Sequence, residues 1–260
     1  MSDVVRVKNS SYARYEELLL KRERIRKDGF QYQQAYIREF GELIIALFNE
    51  KMECIRKKKT IEYCQAALNR GQVIDTAKLR IFLDKELAAM KDQLGSMVEE
   101  YDSARSAESI SERDLLKIKK LYRNLAKRMH PDLNPKTAES VELTDLWNRI
   151  NVAYNCNDLK ELEELNVLAQ GALERLGADI PKMQIPDIDE KISSLEAEIK
   201  RLTEQDPYAY KFILDDPETT AEKKCSLKSE IQSYKDYSMQ LDNVIKEMGI
   251  DPGDTGWRMN

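Results

Sequence analysis

From Ser11 to Ala104, apolar side chains return every three or four residues with almost nothing to interrupt them. That period fits one face of an α-helix and not the two-residue alternation of a strand. Ser11 to Asp28 reads as one helix with Gly29 as its stop. A longer helix runs from Gln33 to Asn69 before Gly71, with Tyr36, Phe40, Leu43, Leu47 and Cys54 on one stripe and Ile44, Phe48 and Ile55 beside it. A face that broad can pack on two neighbours. Gly41 lies inside it, where the missing side chain either admits a close helix crossing or is simply tolerated. Asp75 or Thr76 can cap a third helix, in which Leu79, Phe82, Leu83, Leu87, Met90, Leu94 and Val98 carry the pattern to about Ala104. Residues 1–107 are therefore expected to form a hairpin or bundle of two or three long antiparallel helices. Only 9 Gly and 7 Pro occur in 260 residues, 34% of them charged, which suits long helices with solvated faces.

The formal net charge of −5 argues against a general binder of polyanions. The basic run Arg56-Lys-Lys-Lys59 reads as a solvated helix face rather than a nucleic-acid contact. Cys54, Cys64, Cys156 and Cys225 form no Cys-x-x-Cys pair, so they read as reduced thiols, neither a disulfide framework nor a zinc site. The first residues show no signal-peptide pattern. The longest apolar run, Leu43–Phe48, falls far short of the roughly 20 residues a membrane-crossing helix needs. A cytoplasmic protein without membrane contact is expected. With one histidine, no glycine-rich phosphate loop, no recognisable catalytic carboxylate pair and no metal cluster, the chain reads as no enzyme, with no cofactor and no metal site.

The chemistry-bearing stretch lies further on. Ser103 to Ser111 is serine-rich and reads as a linker, and Ser111 can cap a helix with Asp114 supporting its first turn. In that helix Ile118, Leu121, Tyr122, Leu125 and Met129 share one face, while Lys117, Lys119, Lys120, Arg123, Lys127 and Arg128 fill much of the rest. Pro131 cannot continue the hydrogen-bond ladder, so the helix ends at His130-Pro131-Asp132, and His130 is the only histidine of the chain. A helix from about Thr137 follows, with Leu143, Leu146, Trp147, Ile150, Ala153 and Tyr154 apolar. An acidic one begins at Asp158 and stops at Gly177.

Pro181 and Pro186 mark residues 178–187 as a linker. Ile188, Ile192, Leu195, Ile199 and Leu202 then step by four and three, as do Leu227, Ile231, Tyr234, Leu241 and Ile245 with Ser238 as a polar interruption. These runs predict an antiparallel helical hairpin or coiled-coil arms over 188–250, followed by a tail at 251–260.

Ile118-Lys-Lys-Leu-Tyr-Arg-Asn-Leu-Ala-Lys-Arg-Met-His-Pro-Asp-Leu-Asn-Pro135, followed by Trp147-Asn-Arg-Ile-Asn-Val-Ala-Tyr154, resembles the second helix, loop and third helix of the J-domain of DnaJ-type co-chaperones. The likeness covers residues 112–156, inside a module expected at 108–177. It implies an all-α J-like hairpin that binds a DnaK-type heat-shock chaperone and stimulates its ATP hydrolysis. By position, Lys119, Tyr122, Arg123 and Lys127 would be contacts on the helix, and His130, Pro131 and Asp132 the trigger. Three features depart from the family pattern. No Tyr-x-x-Leu-Gly precedes Ser111, the helix after Asp158 is acidic, and the Gly/Phe-rich linker and zinc repeats of full DnaJ proteins are missing. Leu94–Ala104 is the expected stand-in for the first J-domain helix. The flanking helices are expected to hold a specific client or to form a homodimer. The alternative reading is a scaffolding protein with a degenerate J-like module.

Overall fold

The computed structural model describes the backbone of residues 2–106, 110–175 and 187–249. Those residues form helices and no strand: α1 (Ser2–Asn69), α2 (Thr76–Ser106), α3 (Glu112–Met129), α4 (Pro135–Glu139), α5 (Val141–Asn155), α6 (Leu159–Arg175), α7 (Ile188–Glu204), α8 (Tyr210–Leu214) and α9 (Pro217–Glu247). The all-α class read from the periodicity holds. No helix among them is long and apolar enough to cross a membrane. Most of the 178–187 linker, Gly177 and the 251–260 tail with Trp257 lie outside the described residues.

The chain divides into two compact units that are each discontinuous in sequence. One combines Met1–Gln33 with Glu108–Phe212, the other Gln34–Ala107 with Ile213–Asn260. The chain passes between the units after Gln33, Ala107 and Phe212, so α1 supplies its first part to one unit and the rest to the other. The helix break expected at Gly29 is not there. Gly29 stays helical, and a side chain built on it would sit 3.4 Å from the ring of Pro207, so this glycine marks a close approach.

In the first unit, α3, α5 and α6 share a core of Ile118, Tyr122, Leu125, Met129, Leu143, Trp147, Ile150, Leu162 and Leu165 among others. Ile118, Leu125 and Met129 meet Trp147 and Ile150 there, as their spacing predicts. Side-chain caps set the helix starts. Ser111 Oγ accepts from the Asp114 amide, Ser140 Oγ from Leu143 and Asp158 Oδ1 from Glu161. Beside this core, α7 runs parallel to α1, with Ser11 bonded to Asp189, Arg14 to Glu196 and Arg26 to Glu198. A second core joins Tyr15, Leu18, Leu19 and Ile25 of α1 to Leu195 and Ile199 of α7 and to Leu133 of the turn.

In the second unit, α2 lies antiparallel to α1. Arg38 donates to the Ala104 carbonyl, Gly41 abuts the Tyr101 ring, and Tyr63 meets Phe82. On another side α9 runs parallel to α1, from Glu39–Lys224 through Lys51–Glu230 to Lys57–Asp242. The broad apolar face of α1 does take two partners. Within the region read as a helical hairpin or coiled-coil arms, α7 packs on α1 in the first unit and α9 on α1 in the second. An apolar stripe shows that a face is covered but not by which helix.

The basic run 56–59 is also corrected. Arg56 and Lys57 are buried, not solvated. Arg56 pairs with Glu53, Lys57 Nζ reaches Ser238 Oγ and Asp242 Oδ2 at 2.7 Å each, and Lys59 pairs with Glu86 of α2. Ser238, the polar interruption of the α9 stripe, is the acceptor that lets a lysine lie between two helices.

Candidate partner-binding site at the His-Pro-Asp turn

The last turn of α3 closes as its sequence requires. The His130 amide donates to the Ala126 carbonyl, and His130 takes φ −61°, ψ 126°, the extended conformation forced by the proline after it. Its carbonyl then accepts from the amides of Leu133 and Asn134 at 2.9 and 2.8 Å. Asn134, itself buried, donates from Nδ2 to the Arg128 carbonyl at 2.9 Å. Pro131 is half-buried and Asp132 is exposed.

His130 is 5% exposed. Its Nδ1 lies 3.0 Å from the Asp132 amide and its Nε2 3.1 Å from Arg22 Nη2 on α1. Trp147 of α5 meets the imidazole edge-on, with centroids 5.3 Å apart. Burial pushes the imidazole below its ordinary pKa, against the pull of the Asp132 carboxylate. Arg22 is itself held by Glu23 at 2.8 Å and Glu198 at 3.5 Å, and lies 3.9 Å from Asp132 Oδ2.

The helix residues separate into two groups. Lys119, Lys120 and Arg123 are exposed and form no ion pair with a described residue. Lys127 is exposed but its Nζ is 2.5 Å from Glu16 of α1. Tyr122 carried two expectations, core and partner contact, and the structure gives it the first. It is 4% exposed, its hydroxyl donates to Asn151 at 2.8 Å, and its ring stacks on Tyr154 at 3.7 Å. A side chain so enclosed is not a surface contact, and its hydroxyl is pushed upward in pKa by burial. Tyr154 is pushed up to about 12 for the same reason.

The sequence reading missed α1. Leu20 packs against the α3–α5–α6 core, and Tyr15, Leu18, Leu19 and Ile25 share a cluster with Leu133 of the turn. That place had been assigned to Leu94–Ala104, which belongs to the second unit. An open groove of about 700 Å³ lies between α1 and α3, lined by Leu20, Lys21, Arg24, Lys119 and Arg123 among others. Lys27 is buried beside it with Nζ 3.8 Å above the Tyr154 ring and no hydrogen-bond partner. Its one hint in the sequence was the length of the first helical stripe, which does not say what the stripe covers. No group of carboxylates, thiols and imidazole among the described residues is arranged to hold a metal ion.

Comparison with known proteins returns no matching family model, no matching curated protein and no matching solved structure.

Proposed function

We propose that this chain is a J-type co-chaperone that binds a DnaK-type heat-shock chaperone in the cytoplasm and stimulates its ATP hydrolysis, without being an enzyme itself. The observation that supports the reading is the junction at the end of α3. A helix with Lys119, Lys120 and Arg123 facing solvent runs into a turn held by its own hydrogen bonds, with Asp132 exposed. Cations that pair with no described residue, on a chain of net charge −5, make a local field that draws an acidic surface and speeds encounter. Asp132 offers a carboxylate to a partner arginine. The remaining helices would hold a specific client or a second copy of the chain.

The test is steady-state ATP turnover by DnaK with the protein added. Turnover rises with the native chain, and both His130→Gln and Asp132→Asn lose most of the rise. No rise, or a rise that both variants keep, sinks the reading.

One observation favours a scaffolding protein instead, in which the turn is only a packing unit: His130 is buried and engaged by Arg22. On that reading turnover stays at the basal rate, and His130→Gln lowers the urea midpoint without any other loss.

A further inference from the structure

His130 and Leu133 of the turn are covered by another part of the same chain, while Asp132 stays exposed. Three contacts do this, and each comes from α1 or α7. Arg22 approaches His130 and Asp132, Glu16 holds Lys127, and Leu133 is buried among Tyr15, Leu18, Leu19, Ile25, Leu195 and Ile199. These are residues of the turn and of the basic helix face, the two features on which the co-chaperone reading depends.

The covering contacts are separable from those that build the turn. The amides of Leu133 and Asn134, the Asn134 side chain and the His130 amide all bond within residues 126–134. The core beneath is made by α3, α5 and α6, and α1 adds the partly buried Leu20 and, over the Tyr154 ring, Lys27. Lifting α1 and α7 therefore breaks none of these hydrogen bonds.

The chemistry of the cover also suits reversible opening. Arg22 is held by Glu23 and Glu198, which belong to the cover itself, so its charge stays paired when the cover lifts. Arg22 also donates toward an imidazole whose other nitrogen already faces an amide N–H. A neutral ring has one lone pair to offer, so one of the two donors is poorly served in the closed arrangement. Leu133 supplies the opposing hold, an apolar side chain that loses its packing when the cover lifts.

We propose that α1 and α7 form an intramolecular latch over the His-Pro-Asp turn, and that the partner chaperone reaches the trigger only when this latch opens. The proposal rests on the co-chaperone reading and adds its regulation. The occupant to be displaced is the chain's own helix, which uses Glu16 against the basic face much as an acidic partner would.

His130 makes the test specific, because it is the only histidine in the chain. Diethyl pyrocarbonate acylates an accessible neutral imidazole, and mass spectrometry locates the adduct. In the full-length native protein His130 is expected to react at least tenfold more slowly than N-acetylhistidine. Arg22→Ala speeds the reaction several-fold, and Leu19→Ala with Ile199→Ala speeds it further. The circular dichroism of each variant reports whether its helices persist, and Arg22→Ala removes no large apolar side chain. In parallel, the same variants stimulate DnaK turnover at several-fold lower concentration than the native chain.

A native His130 as reactive as the free amino acid overturns the latch and leaves the co-chaperone reading standing. So does equal stimulation by native chain and by variants whose imidazole has become reactive. Variants that expose His130 yet stimulate nothing overturn both.

Discussion

His130 sits between two N–H groups, the Asp132 amide on Nδ1 and Arg22 on Nε2. A protonated ring can accept from neither, and it would add a cation next to Arg22 and Arg26, opposed by Glu23, Asp132 and, on α7, Glu198, which holds Arg22. Burial is the largest cause of the lowered pKa. The unfolded chain, with an ordinary histidine pKa of about 6.5, therefore takes up the proton first. The stability that His130 contributes is complete above that pH and is lost as pH falls toward the folded-state value. Urea midpoints measured from pH 8 to pH 5 should fall more steeply for the native protein than for His130→Gln, and parallel curves would remove the imidazole from the account. Lys27 is the second residue whose charge is badly placed. Burial lowers its pKa to about 8, with Lys119 pressing the same way and Asp28 against it. The Tyr154 ring 3.8 Å away returns part of the cost as a cation–π contact. Lys27→Met keeps the stem and removes the ammonium, and should stabilise the fold at pH 7 by about 1–2 kcal/mol. Equilibrium unfolding in urea checks it, and a loss of stability would mean that the cation–π contact outweighs desolvation.

Between α1 and α2 the decisive position is Gly41. A side-chain carbon there would lie 2.5 Å from Tyr101 Cδ2, closer than two such atoms can pack. Alanine is the better helix former by about 1 kcal/mol, and overpacking of this kind costs about 1–3 kcal/mol, so Gly41→Ala should lower the thermal midpoint. In a Tyr101→Ala background the clash is gone and the same change should raise it. Between α1 and α9 the matching position is Lys57, buried against Ser238 and Asp242. Lys57→Ala leaves Asp242 without its partner and should cost about 3 kcal/mol, read from the urea midpoint. Asp242→Asn in the same chain should recover part of that loss. These two positions also show where sequence reading stops. The period of three and four placed most of the helices, and residue type gave the cap at Ser111, because both follow from neighbours close in sequence. A glycine inside a helix pattern has several local meanings. Gly29 reads as a stop from its neighbours in sequence, whereas the helix runs through it and a side chain there would come within 3.4 Å of the ring of Pro207, far along the chain. Likewise Tyr122 lies on the boundary between the apolar and basic faces of α3. Only the stacked Tyr154 and the Asn151 acceptor decide which side it joins.

At the scale of the whole molecule the charge pattern carries the remaining argument. A net charge of −5 repels an acidic partner at long range, while Lys119, Lys120 and Arg123 attract it at close range. Salt weakens both, with a screening length of about 10 Å at 0.1 M, but the close-range attraction dominates an encounter complex. Lys127 counts for less in this balance, because Glu16 already neutralises it. If the chain is the co-chaperone proposed above, stimulation of DnaK turnover should therefore need several-fold more protein at 200 mM salt than at 50 mM, with the turnover at saturation nearly unchanged. Lys119→Glu with Arg123→Glu should raise the required concentration at low salt and flatten its dependence on salt. Glu16→Gln should act in the opposite direction, freeing Lys127 and loosening one contact of α1 on the basic face. The two effects of Glu16→Gln can be told apart. A gain that vanishes at 200 mM salt is the freed charge of Lys127, and a gain that persists there is the opened contact.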